Sequence, residues 1–176
     1  MKLFIKFYLL IFCFLDAQNH WETAIYANDD WNYLVPISEP STDWNTLDFS
    51  DTSWFSGPGG FGYGDGDDGT VIDQTLSVYF RTDFSVPDIS KFYMAVLHAD
   101  YDDGFVAYIN GVEICRSANL GQPGTFVPFD ETTSTDHEAQ LYNGGIPEAY
   151  TLDSLELSQL LIMGDNVLAI QVHNVG

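Results

Sequence analysis

The chain has 176 residues, with 26 acidic and five basic side chains and a formal net charge of −21 at neutral pH. That length carries one domain with a sizeable core. The charge excludes a nucleic-acid binder, which needs a basic stripe, and it excludes docking to an anionic membrane surface.

The first segment, MKLFIKFYLLIFCFLDAQ, has Lys2 and Lys6, an apolar run from Phe7 to Leu15 and Ala17 before a polar change. This pattern predicts a secretory signal peptide over residues 1–17. Its apolar run is too short to insert across a bilayer. A lipoprotein signal wants a small residue just before its cysteine, and Phe12 precedes Cys13, so cleavage after Ala17 is the plainer reading. Removal of the signal leaves 25 acidic and three basic residues, a formal −22. Such acidity reads as solubility outside the cell or as divalent-cation binding. Cys115 is then the one cysteine, which leaves no internal disulfide and no cysteine zinc site. It sits in a strand-like run as a small apolar residue.

Residues 18–176 read as a single module. SGPGGFGYGDGDDGT (56–70) is turn-rich. LSVYFRTDFSV (76–86) alternates, with Val78, Phe80, Thr82 and Phe84 toward a core and Tyr79, Arg81 and Asp83 outward. KFYMAVLHA (91–99) is a further strand. FVAYI (105–109) and VEICR (112–116) flank Asn110-Gly111, the strongest short hairpin signal, because a type I′ turn needs two residues with positive φ. SANLGQPGT (117–125) and YNGGIPEA (142–149) are turns. LDSLELSQLLIMGD (152–165) predicts one or two helical turns ended by Gly164. NVLAIQVHN (166–174) alternates, with Leu168, Ile170 and Val172 inward and Ala169, Gln171 and His173 outward. Many short strands without βα alternation predict an all-β, jelly-roll β-sandwich. The sequence stops just after a good strand. An edge there would need cover, so this chain is expected to be the N-terminal fragment of a longer protein, lacking its last strand and followed by downstream domains.

The order Trp54-SGPGGFGYGD, SVYFRTDFSVP, ADYDDGFVAYINGVEI and LLIMGDNVLAIQVHN resembles the galactose-binding-domain-like β-sandwich. It looks most like the N-terminal sugar-binding domain of glycoside hydrolase family two. It is similar too to modules of large secreted Bacteroidota proteins that stand beside lamin-tail and CotH-like domains. The resemblance covers roughly residues 20–174. It implies a domain without a catalytic acid, which in related modules binds sugars, often with a structural calcium. Fold alone does not give function.

Two acidic clusters share a D-x-D-D-G order: Asp65, Asp67 and Asp68, and Asp100, Asp102 and Asp103. Calcium takes six to eight oxygens from closely spaced carboxylates and carbonyls on a flexible loop. Neither cluster fits the EF-hand spacing, and Asp/Gly turns explain both equally well in kind. Sugars are met by flat aromatic faces with polar partners, which points to Trp31, Trp44, Phe61 and Tyr63. The strand phases add Tyr79 and Arg81, with Gln171 and His173 on the neighbouring strand, as one outward patch. The plain alternatives are core packing for the aromatics and an ion pair for Arg81. Asp136, His137 and Glu138 lack the two further ligands of a zinc site, and HExxH, GxSxG and P-loop patterns are absent. His98 with Asp100 could ligate a metal, the plainer reading being a packed histidine.

The sequence therefore predicts a secreted, non-catalytic carbohydrate-binding module whose partner is a glycan. An adhesion or spacer module stiffened by calcium is the second reading, and an accessory domain of a glycoside hydrolase the third. If the acidic clusters hold calcium, a chelator lowers the melting temperature by several degrees. An unchanged melt leaves only turns.

Overall fold

The computed structural model describes residues 20–63, 66 and 68–176. Its strands are β1 (Asp30–Leu34), β2 (Phe55–Pro58), β3 (Phe61–Gly62), β4 (Thr70–Val71), β5 (Ser77–Val86), β6 (Met94–Ala99), β7 (Gly104–Ile109), β8 (Val112–Arg116), β9 (Glu148–Asp153) and β10 (Gly164–His173). Among the described residues the one α-helix, α1, spans Ser154–Leu160. β2-β1-β5-β10-β7-β8 form a six-stranded antiparallel sheet, β6 and β9 an antiparallel pair, and β3 and β4 a short parallel pair. This is an all-β sandwich, as the turn spacing predicts.

Local chemistry sets the corners. Asn110 and Gly111 both have positive φ, 50° and 87°, as the β7–β8 hairpin requires. The Asn110 side chain does more than turn. It donates to Leu160 O at 2.9 Å and Asn166 Oδ1 at 2.8 Å, and accepts from Val167 N at 3.0 Å. The hairpin tip is thereby fixed to the end of α1 and the start of β10. α1 opens with a capping box between Asp153 and Glu156, which satisfies otherwise orphaned N–H groups. It covers only 154–160, because residues 148–153 extend as β9 and pair with β6.

The large sheet is buried on both faces. On one, Ile109 and Leu168 pack with Leu152, Leu157 and Leu161 of β9, α1 and the turn after it. Phe105 and Ala107 continue this layer against Leu97 and Tyr150. The other face carries Tyr79, Arg81, Ala169, Gln171 and His173. Register confirms them as neighbours, since Tyr79 opposes Gln171 and Arg81 opposes Ala169. Their expected exposure is overturned: Tyr79 and His173 are fully buried, and Arg81 and Gln171 nearly so, each at 2%. Long segments without strands cover this face. Trp44, Phe49 and Trp54 from residues 35–54 pack around Tyr79 and Ala169. Leu120 and Val127 from residues 117–135 pack on Val106.

The last strand is also not an edge. β10 pairs along its whole length with β5 and over six residues with β7. The edges of the sheet are β2 and β8.

Arg81 holds the first covering segment. Its guanidinium donates to Trp44 O at 2.6 Å, Thr46 O at 2.9 Å, Phe49 O at 3.4 Å and Asp51 Oδ2 at 2.8 Å. It also lies over the Phe49 ring, 5.3 Å from its centroid. Carbonyls that have no strand partner thus find a donor under the loop. Replacing Arg81 by Met leaves Asp51 and these carbonyls uncompensated, at a cost of roughly 3 kcal/mol. The melting temperature should fall by roughly 10 °C, with new proteolytic cuts in 44–51. A melt within a degree or two of the parent would show the staple to be dispensable.

Candidate functional site

Beside the covered face lies a groove of about 880 Å³ between residues 39–45, the β7–β8 hairpin and residues 123–126. Trp44 forms part of its floor. That ring stands edge-on to Tyr79 (centroids 4.7 Å apart) and to Tyr108 (5.6 Å), and stacks on Trp54 at 6.4 Å. It is 6% exposed, so only an edge meets the groove. Tyr108 is half-buried, and burial, then Glu113, pushes its hydroxyl up to about 12. It stays a neutral phenol that donates and accepts. Phe126 stands open on the rim at 68% exposure.

Glu113 and Arg116 make the polar wall. They meet in a two-pronged ion pair at 2.8 and 2.7 Å, and Glu113 also accepts from Gly124 N at 2.9 Å. Burial opposes the Glu113 charge, but Arg116 and the Gly124 N–H outweigh it and hold the carboxyl below its ordinary value. Arg116 further donates to Leu120 O at 2.9 Å and Thr125 O at 2.8 Å, strapping the second covering segment down. Gln171 donates to Tyr79 Oη and Val127 O, both at 2.9 Å. Cys115 lines the groove as well. Burial, then Glu113, pushes its thiol up to about 12, which leaves no thiolate for chemistry.

The other residues named as ligand contacts do not gather here. Tyr79 lies beneath the floor, and Arg81 is engaged with the 44–51 carbonyls. His173 is buried with Nδ1 2.8 Å from Glu131 O. Trp31 and Phe61 pack on Phe80, at 6.5 and 4.6 Å between centroids. Tyr63 is surface-exposed, and its hydroxyl accepts from Asn174 at 3.3 Å. Of the residues named from the sequence, Trp44 and Gln171 line the groove. Tyr108, Glu113, Arg116 and Phe126 escaped the sequence reading. Tyr108 and Glu113 flank the Asn-Gly turn and oppose one another across it. The signal was therefore present, but the register shift at Ala107/Tyr108 is not visible in a sequence.

The acidic residues divide. Asp65 and Asp67 lie outside the described residues, and Asp68 packs its carboxylate against Gly62. Asp100 accepts from Gln140 N at 2.7 Å and Leu141 N at 3.1 Å. Asp103, 6% exposed, accepts from His137 N at 2.8 Å and Val175 N at 2.7 Å. Both carboxylates therefore anchor loops to the corner. Among the described residues, no group of three or more His, Cys, Asp or Glu side chains is placed to hold a metal.

A second cluster adjoins this corner. The His137 ring stacks on Tyr101 at 4.2 Å, and its Nε2 lies 3.3 Å from Glu148 Oε1. Glu148 Oε2 accepts the Tyr150 and Tyr101 hydroxyls at 2.5 and 2.9 Å. These hydroxyls, Tyr150 first, and His137 hold Glu148 below its ordinary value. Each polar end meets another within the cluster, which fixes residues 136–138 against β9.

Comparison with protein-family models and with curated proteins gives no match. Among solved structures, the chain is similar to a beta-glucuronidase from glycoside hydrolase family 2 (TM-score 0.52, 19% identity, covering 84% of this chain and 13% of that one). It is similar to Bacteroides uniformis beta-glucuronidase (0.51, 17% identity, 85% and 14%) and to an uncultured Clostridium sp. beta-glucuronidase (0.50, 18% identity, 84% and 21%). The likeness establishes the fold: a β-sandwich of the kind that glycoside hydrolase family 2 enzymes contain. The chain spans about a fifth or less of these enzymes' length. Among the described residues no helix is long and apolar enough to cross a membrane.

Asp102 gives a test of the corner. Partial burial, then Asp103 and Glu138, pushes its carboxyl up to about 6 from 3.8. The folded state therefore holds this proton up to a higher pH than the unfolded chain, and stability is lost as pH rises through about 6. Because solvent screens this half-open site, Asp102→Asn should raise stability at pH 8 by about 1 kcal/mol and by only a small fraction of that at pH 4. Melts at the two pH values check this. An equal effect at both would mean the ionised carboxylate carries no penalty.

Proposed function

We propose that the chain is a non-catalytic carbohydrate-binding module of a larger secreted protein, with the glycan seated in the groove above Trp44 and Tyr108. One observation carries this reading. The groove joins aromatic surface from Trp44, Tyr108 and Phe126 to polar groups oriented in advance, with Glu113 and Arg116 locked together and Gln171 tied to Val127 O. Apolar lining with a few fixed polar groups is the general form of a small-molecule site. The sandwich being a small part of several beta-glucuronidases supports a carbohydrate-related accessory role. The signal-like segment at residues 1–17 supports secretion.

The electrostatics narrow the ligand. The Arg116 charge is matched by Glu113, Glu39 adds a second carboxylate on the rim, and the chain is strongly acidic overall. Uronic and sulfated glycans are repelled, so the fitting ligand is a neutral glycan. Catalysis is disfavoured on the same grounds. The carboxyl of Glu113 is kept ionised and cannot serve as a general acid. An accessory domain of a glycoside hydrolase is the second reading, favoured by the small share of the enzymes that the fold occupies.

A glycan array probed with the chain should show neutral oligosaccharides bound and uronates unbound. Phe126→Ala leaves the fold intact because its ring is exposed, and it should weaken binding about tenfold, the loss of about 1.4 kcal/mol. Tyr108→Phe should weaken it less. A well-folded sample that binds no glycan would favour a spacer. Binding untouched by Phe126→Ala would move the site elsewhere.

A further inference from the structure

The residues that surround and oppose Gly104 carry buried polar atoms with no hydrogen-bond partner among the described residues. Gly104 opens β7 and opposes His173 of β10. Directly opposed residues of an antiparallel pair project to the same face. The His173 ring therefore stands beside the space where a Gly104 side chain would be. A Cβ at Gly104 would lie 2.6 Å from Thr133 Cγ2 and 2.9 Å from both Asn119 Oδ1 and Ser117 Oγ. Asn119 and Thr133 are the two ends of the segment that covers this half of the sheet, so the glycine forms the floor of a cradle beneath them.

Three polar atoms of the residues that border this cradle are buried without a hydrogen-bond partner among the described residues: Asn119 Oδ1, Thr133 Oγ1 and His173 Nε2. Ser117 Oγ is not one of them, since it accepts from Phe105 N at 2.9 Å. Such atoms are rare in folded proteins and each calls for an occupant. The donor and acceptor roles are fixed by their other contacts. His173 Nδ1 faces a carbonyl, Glu131 O, at 2.8 Å, so that nitrogen carries the proton and Nε2 carries a lone pair. The Asn119 amide nitrogen donates to Asp103 O at 3.1 Å and Thr135 O at 2.8 Å, which aims Oδ1 as an acceptor. Thr133 offers a rotating hydroxyl. The occupant must therefore give two hydrogens and accept one.

We infer that one water molecule is built into this cradle, donating to Asn119 Oδ1 and His173 Nε2 and accepting from the Thr133 hydroxyl. Three hydrogen bonds are what a buried water commonly makes. A cation fits less well. Two neutral oxygens and one neutral imidazole bring no charge to offset its desolvation. The nearby carboxylate of Asp103 already receives His137 N and Val175 N. Burial lowers the pKa of His173, which agrees with a neutral ring. The water joins both ends of residues 117–135 to the sheet, where main-chain bonds from Ser134 N to Asn119 O (2.9 Å) and Thr133 N to Asn174 O (3.2 Å) already close the loop.

The test is a crystal structure of the chain at a resolution that shows ordered water, beside that of Thr133→Val. The wild type should show a peak within about 3.2 Å of all three atoms, unchanged by chelator and without anomalous signal. Thr133→Val keeps the side-chain shape. It should fold, lose or displace the peak, and melt a few degrees lower. Gly104→Ala should evict the water with a larger loss, and if it does not fold, Thr133→Val still decides. A wild-type site with no peak, and the Thr133 hydroxyl turned directly onto His173 Nε2, would overturn the inference. A peak at metal–ligand distances that chelator removes would also overturn it.

Discussion

The structure depends on covering the second face of its large sheet with chain that forms no strands. Such a cover brings carbonyls onto an apolar layer, where each needs a donor. Two buried guanidinium groups supply them. Arg81 gathers Trp44 O, Thr46 O and Phe49 O, and Arg116 gathers Leu120 O and Thr125 O. Each is neutralised by a nearby acid, Asp51 or Glu113. An arginine suits this position because its planar fork carries five donors and keeps its charge when buried. Lysine would offer a point charge and fewer fixed directions.

The groove is a product of that arrangement. The segment pinned by Arg81 brings Trp44 to the floor, and the segment pinned by Arg116 brings Phe126 to the rim. The same ion pair that holds the second segment also forms the polar wall. Recognition and architecture thus share the Glu113–Arg116 pair. Gln171 links them again, joining Tyr79 under the floor to Val127 O in the cover.

Much of the fold is legible in the sequence. The Asn110-Gly111 hairpin, the long alternating strands at 77–86 and 164–173 and the short helix follow from local chemistry. β9 was hidden because EAYTLD runs straight into a capped helix, and Leu152 reads equally well as its first apolar position. The site is less legible. Alternation correctly placed Tyr79, Arg81, Gln171 and His173 on one face, and register confirmed them as neighbours. It could not tell that this face is buried, because the cover comes from Gly- and Pro-containing segments with no periodicity. The same limit made the last strand look like an edge: chain order does not set sheet order. The cluster of Tyr101, His137, Glu148 and Tyr150 joins residues tens of positions apart, which no local pattern announces.

Drawing two of the three basic residues of 18–176 into the interior has a consequence for how the surface answers salt. Lys91 is the one lysine or arginine left at the surface among the described residues, paired loosely with Asp88 at 3.8 Å. The exposed charge is therefore almost wholly of one sign and mutually repulsive, while the attractive pairs lie beneath the covering segments. Added electrolyte screens exposed charges over about 8–10 Å and reaches buried pairs far less. It relieves the repulsion and leaves the staples intact. A fold laid out this way is steadied by brine that would loosen a surface held together by ion pairs, and in fresh water its copies keep one another at a distance.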